Sequence, residues 1–164
     1  MKKPILIALL FLGAGFTACD NNADTKSQTE KSGTANQTLN KEMKNLASII
    51  EIPVADLTRA IAFYEIILDV SIEKMEMDGV QMGVLPSDGK TVSVVLAKGD
   101  DYTPTTDGAL VYLNAGADLQ TVLDKVAQNG GKMVVPKTAI SPEMGYFALF
   151  IDTEGNKLGL HSSN

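Results

Sequence analysis

The chain has no tryptophan, one cysteine and one histidine in 164 residues, and aromatic side chains make up only 5 % of it. A single cysteine excludes an intramolecular disulfide. Fourteen basic against twenty acidic side chains leave a formal charge of −6. No stretch forms a basic face, so a nucleic-acid backbone is excluded as a partner. The acidic surplus reads as solubility. The glycines of "GNKLG" and "SDGK" lack a strand–loop–helix context, which excludes phosphate cradling by a glycine-rich loop. Apolar residues make up 45 %, ordinary for a packed chain, and the length allows one domain with an appendage.

The position of the cysteine says more than its number. Residues 1–18 read "MKKPILIALLFLGAGFTA". Lys2 and Lys3 form a basic start, an apolar run extends from Ile5 to Phe16, and the small residues Thr17 and Ala18 precede Cys19. This pattern is a secretory signal, too short for a spanning helix. "FTAC" resembles a bacterial lipobox, in which Cys19 is lipidated after cleavage, with Phe16 where an aliphatic residue is usual. The alternative is an ordinary signal peptide with an incidental free thiol. Cleavage would remove two lysines and no acid, taking the charge from −6 to −8. The expected location is therefore the bacterial cell envelope, exported and membrane-anchored through lipid.

Residues 19–45 carry the cysteine and a run of Asn, Thr, Ser, Lys and Gln in which only Leu39 and Met43 are sizeable apolar residues. Such a segment buries too little to offset its ordering entropy and reads as a flexible tether. The domain spans 46–164. Within it one pattern occurs twice, in modules of about 46–100 and 106–164. In the first, a strand over Ser48–Val54 leads to Asp56 as a helix cap, and Leu57, Ala60, Ile61, Tyr64 and Leu68 repeat at helical spacing. In the second, Ala109–Ala115 leads to Asp118, with Leu119, Val122, Leu123, Val126 and Ala127 following and Asn129-Gly130-Gly131 as the stop. Three strands follow each helix: Ile72–Met77, Val80–Leu85 and Thr91–Ala97, then Lys132–Val135, Tyr146–Ile151 and Lys157–Ser162. Asp78-Gly79 is a hairpin signal. "PKTAISPEMGYF" reads as a loop between strands. The order is βαβββ twice, an internal duplication in which neither half buries its apolar face alone.

Asp56, Arg59, Ala60, Phe63 and Tyr64 fit "D-x-x-R-A-x-x-F-Y", and Asp152, Gly155 and Asn156 fit "D-x-x-G-N". In order, within a duplicated βαβββ pattern over 46–164, these residues resemble the vicinal oxygen chelate superfamily of glyoxalase I, extradiol dioxygenases, and the bleomycin- and fosfomycin-resistance proteins. The resemblance implies an α+β fold of two modules whose curved mixed sheets form a cup with the helices outside, and a possible homodimer. It also implies metal ligands seven residues before the first cap aspartate and seven after the turn aspartate. Those positions hold Ile49 and Gly159, and the two inner positions fall near Val95 and Leu110 to Tyr112. None suits a divalent ion.

Glu51 and His161 each stand two residues beyond the vacant positions, and a shift of two keeps a strand residue on the same face. With Ile50, Ile52, Val54, Leu158 and Leu160 turned to the helices, Glu51 and His161 point into the cup. They can hold each other, orient a proton transfer or share a metal. A structural or ligand-orienting role is the reading adopted, ahead of general-base chemistry and of a metal, since two ligands rarely hold one. Tyr112 and Asn114, alternating with Val111, Leu113 and Ala115, join them as ligand-binding candidates. The methionines at 75, 77, 82, 133 and 144 read as gap-filling core. The expected function is capture of a small organic molecule, with no cofactor. The alternatives are a lyase, isomerase or dioxygenase with a displaced Glu51/His161 divalent-metal centre, and a structural scaffold.

Overall fold

The computed structural model describes residues 46–164; Cys19, the signal and the tether lie outside the described residues. The first module runs β1 (Ile49–Pro53), α1 (Leu57–Leu68), β2 (Glu73–Met77), β3 (Val80–Val84) and β4 (Ser93–Lys98). The second runs β5 (Tyr112–Asn114), α2 (Leu119–Gln128), β6 (Lys132–Ser141), β7 (Gly145–Ile151) and β8 (Lys157–Ser162). Each module forms its own four-stranded sheet, ordered β1-β4-β3-β2 and β5-β8-β7-β6. β1 runs parallel to β4 and β5 parallel to β8, and the remaining neighbours are antiparallel. The duplication read from the sequence is thus repeated strand for strand.

Local chemistry explains the helix boundaries. Asp56 stays extended, and its carboxylate accepts from the N–H groups of Thr58 and Arg59. Asp118 accepts from the Gln120 N–H in the same way. Both satisfy donors that a first helical turn leaves orphaned. α1 ends at Asp69, whose φ of 55° stops the helix and turns the chain. The Asp78-Gly79 turn has positive φ at both residues, as a primed hairpin requires.

One core serves both modules. α1 buries Leu57, Ala60, Ile61, Phe63, Tyr64 and Ile67; α2 buries Leu119, Val122, Leu123 and Val126. They pack with Ile52, Val54, Leu96, Leu113, Ala148, Phe150, Leu158 and Leu160 in a single cluster. The helices also contact each other. Phe63 of α1 meets Phe150 of β7 with ring centroids 6.4 Å apart. Removing one such aliphatic side chain, as in Ile67→Ala, costs about 2–5 kcal/mol at a fully buried site.

The turn at 152–156 joins the halves. The Asp152 carboxylate accepts from the buried Tyr64 hydroxyl at 2.7 Å and from the backbone N–H groups of Glu154 and Asn156. Asn156 donates to the Pro53 carbonyl and accepts from the Thr105 N–H. Glu154 accepts from the N–H groups of Ala55 and Asp56 and takes a bidentate grip from Arg59 at 2.7 and 2.9 Å. Its side chain is fully buried. Burial raises the Glu154 pKa, but the Arg59 guanidinium and the two N–H groups outweigh it and hold the carboxyl below its ordinary value. A carboxylate from the second module therefore completes the N-terminus of the first helix.

One expectation fails. "PKTAIS" is strand, not loop: β6 continues to Ser141. Irregular register between Met133 and Val135, Val135 and Thr138, and Ala139 and Ser141 marks bulges. Pro136 is tolerated because β6 is the sheet's outer strand, where a missing N–H breaks no inner ladder. Among the described residues no helix is long and apolar enough to cross a membrane.

Candidate functional site

Among the described residues, each sheet turns one face to its helix and leaves the other without one. Strand alternation decides which residues stand there. Ile52 and Val54 are buried toward α1, which puts Ile49 and Glu51 on the helix-free face of the first sheet. Leu113, Leu158 and Leu160 are buried toward α2, which puts Tyr112, Asn114, Gly159 and His161 on the helix-free face of the second.

Glu51 and His161 do not pair, which corrects the expectation that they hold each other in one cup. Glu51 accepts from the Tyr102 hydroxyl at 2.8 Å, and its carboxylate raises the Tyr102 pKa. It lines a cavity of about 420 Å3 with the 105–111 segment and Lys157. His161 lines two different cavities. The separation arises because each residue belongs to its own sheet, and each finds a partner within its own module or the linker. Tyr102 gave no signal in the sequence, since its approach depends on the path of the linker.

Tyr112, Asn114 and His161 do come together. The parallel register sets Tyr112 beside Gly159 and Asn114 beside His161. The Tyr112 ring occupies the space where a side chain at 159 would stand: a Cβ there would lie 2.3 Å from the ring. The ring meets Phe147 edge-on, with centroids 6.4 Å apart and planes at 69°. Tyr112, Ile140, Met144, Phe147 and His161 line an apolar cavity of about 400 Å3. Tyr112, Asn114, Gly116, Ser163 and His161 line a wider, more polar one beside it, of about 670 Å3. The result is a shelf with an apolar side and a polar side, divided by Tyr112 and His161.

The tautomer of His161 follows from its partner. Its Nε2 lies 2.7 Å from the Met144 carbonyl oxygen. A carbonyl only accepts, so in the neutral ring Nε2 carries the proton and Nδ1 the lone pair. Nδ1 has no hydrogen-bond partner among the described residues. Met144 is positioned by the β6–β7 turn, where Gly145 has a φ of 71°. A Cβ at Gly145 would come 2.2 Å from the Ser162 carbonyl oxygen, so this turn requires glycine.

The methionine expectation holds for Met82, which is buried, and fails for Met75, Met77, Met133 and Met144, which are 48–59 % exposed. They stand on helix-free or outer-edge surface rather than in the core.

The donor set does not fit the family's divalent metal. Ile49, Val95 and Gly159 offer no ligand atom, and the Tyr112 ring fills the space at 159. Among the described residues no three His, Cys, Asp or Glu side chains gather closely enough to hold an ion.

The pattern of the Glyoxalase/Bleomycin resistance protein/Dioxygenase superfamily matches residues 46–160. A glyoxylase-like domain-containing protein of Didymella fabae is 29 % identical over 117 residues, covering 65 % of this chain and 85 % of that protein. Among solved structures, a glyoxalase I mutant from Zea mays aligns over 71 % of this chain with a TM-score of 0.57 and 22 % identity. This chain spans only 46 % of that one. A glyoxalase/bleomycin resistance protein from Albidiferax ferrireducens gives 0.57 and 16 % over 71 % of this chain and 97 % of its own. The fosfomycin resistance protein of Listeria monocytogenes gives 0.53 and 16 % over 73 % and 91 %. With two βαβββ modules, the "D-x-x-G-N" turn at their junction and a family match over 46–160, the chain belongs to the glyoxalase/bleomycin resistance protein/dioxygenase superfamily.

Proposed function

We propose that this protein is a binding module that captures a small organic molecule on the Tyr112–His161 shelf without a divalent metal. The observation that carries the reading is the Tyr112 ring over Gly159, an aromatic platform where the family places a metal ligand. The ligand lays an apolar, planar part against Tyr112 and Phe147, and gives a hydrogen bond to His161 Nδ1. Asn114 accepts from the Gly116 N–H through Oδ1, which leaves its amide N–H groups for a polar substituent. A lipidated Cys19 would hold the domain at the bacterial envelope. A second copy would cover part of the remaining surface of the first sheet, where Ile49 is left exposed.

A second reading rests on the free Nδ1. An imidazole fixed through Nε2 by a carbonyl is oriented as a general base would be. In that case a bound ligand is turned over, with His161 removing a proton, rather than only held.

The test combines elemental analysis with a ligand screen on the full chain. The expected result is no stoichiometric zinc, manganese, nickel or iron. Aromatic or heteroaromatic ligands should raise the melting temperature, and the shift should be lost in both Tyr112→Ala and His161→Ala. At a ligand concentration a hundred times Kd the stabilisation is about 2.7 kcal/mol. One divalent ion per chain, or binding indifferent to both substitutions, overturns the proposal. Chemical conversion of a captured ligand, abolished in His161→Ala but not in Tyr112→Phe, establishes the second reading.

A further inference from the structure

The β2–β3 hairpin carries three thioethers on one face. Met75 lies directly opposite Met82, and Met77 lies two residues further along β2, opposite Val80. The face is the helix-free one, because Gly83, on the opposite face of β3, approaches Ile61 of α1. Directly opposed side chains have Cβ atoms about 4.5–5.5 Å apart, and diagonal ones about 7–8 Å. Three rotatable bonds in each methionine let the sulfur atoms close those gaps. The neighbouring positions on this face are Val80, Val84, Val95 and Ala97, with Glu73 at the far end opposite Val84. The thioethers are therefore the donors at the centre of the patch.

The exposure pattern argues for use rather than filling. Met82 is 8 % exposed and forms a floor, while Met75 and Met77, 48 % and 59 % exposed, stand beside it toward solvent. An aliphatic side chain would serve a packed surface equally well. Thioether sulfur differs from it in being a soft, polarisable ligand, which selects Cu(I) over zinc, magnesium or calcium.

We propose that Met75, Met77 and Met82 form a three-thioether site for Cu(I). Binding is plain coordination, with no electron or group transfer. The site lies on the first sheet, apart from the Tyr112–His161 shelf on the second, so neither depends on the other.

The experiment uses the full chain carrying Cys19→Ser, which removes the one stronger soft ligand, with methionine methyl groups labelled with carbon-13. Ag(I), a redox-inert stand-in, is titrated first, then Cu(I) without oxygen. The methyl signals of Met75, Met77 and Met82 are expected to move together and saturate at one equivalent, while those of Met133 and Met144 stay. Zinc at the same concentration leaves all five unmoved. Met75→Leu and Met77→Leu, which conserve volume and keep the fold, each weaken binding at least about tenfold. Movement of all five signals without saturation, displacement by zinc, or unchanged affinity in the double variant with its melting temperature intact overturns the site.

Discussion

The ring of Tyr112 stands where a side chain at position 159 would be, so near that a Cβ there would lie 2.3 Å from it. Gly159 is thus a seat for an aromatic group, and the two residues are neighbours in the β5–β8 register. A methyl group at 159 must push the ring away. Tyr112 is 47 % exposed and free to swing outward, so Gly159→Ala should cost only about 1–3 kcal/mol. The shelf should suffer more than the fold. Urea unfolding together with ligand titration checks this: a folded variant that has lost capture is the expected outcome.

Nitrogen NMR of the single histidine tests the tautomer. The neutral ring should carry its proton on Nε2, because that nitrogen faces the Met144 carbonyl. Gly145→Ala should disturb the same signal, since the turn that presents Met144 admits no Cβ beside the Ser162 carbonyl. An Nδ1-protonated ring in the native chain would contradict the assigned hydrogen bond.

The clamp between modules predicts a stability loss from one buried side chain. Glu154→Ala leaves the N–H groups of Ala55 and Asp56 and the Arg59 guanidinium without their acceptor. Each unsatisfied donor costs about 1–3 kcal/mol when water cannot replace the partner. Arg59 is half exposed and recovers hydration, so the expected total is about 2–4 kcal/mol by denaturant midpoint.

The same residue sets an acid limb. The Arg59 guanidinium and the N–H groups of Ala55 and Asp56 outweigh burial and hold the folded-state pKa of Glu154 below the ordinary carboxylate value. A depressed carboxylate pKa contributes stability that is fully present above the unfolded pKa and is lost as pH falls through the folded one. Stability should therefore drop below about pH 4.5, and Glu154→Gln should flatten that drop. Asp56 and Asp118 titrate in the same direction, held down by the Arg59 N–H and by Lys137 respectively, so some slope should remain. Denaturation midpoints between pH 3 and 7 give the comparison.

Tyr64→Phe removes the hydroxyl that the Asp152 carboxylate accepts from. Burial, and then the Asp152 charge, push the Tyr64 pKa well above its ordinary value, so the phenol stays a donor throughout the stable range. Asp152 keeps its bonds from Glu154, Asn156 and the Asn156 amide, so the loss should be about 1–3 kcal/mol rather than collapse. Calorimetry of the two proteins measures it.

Much of the architecture was legible because its signals are local. Asp56 and Asp118 begin helices through bonds to N–H groups two or three residues on, and Asp78-Gly79 turns a hairpin through its own dihedral angles. Strand alternation placed Ile52, Leu113 and Leu160 inside and Tyr112, Asn114 and His161 on the other face. The same local reading missed the far half of β6. Pro136 and Pro142 signal a loop, and only an outer position in the sheet makes such a strand admissible. It also failed for the Glu51–His161 pair, because alternation assigns a face but not what lies opposite it.

The two βαβββ repeats, their caps and turns, and the side of each strand that meets a helix are written along the chain, since period and capping depend on neighbours a few residues apart. That Glu51 meets Tyr102, that Glu154 holds Arg59 across 95 residues, that Tyr112 sits on Gly159 and that His161 turns Nε2 to Met144 emerge only once the chain is packed. The reason is physical. These contacts are set by how whole sheets and the linker come to rest against one core, and no periodicity along the chain encodes a distance between two sheets.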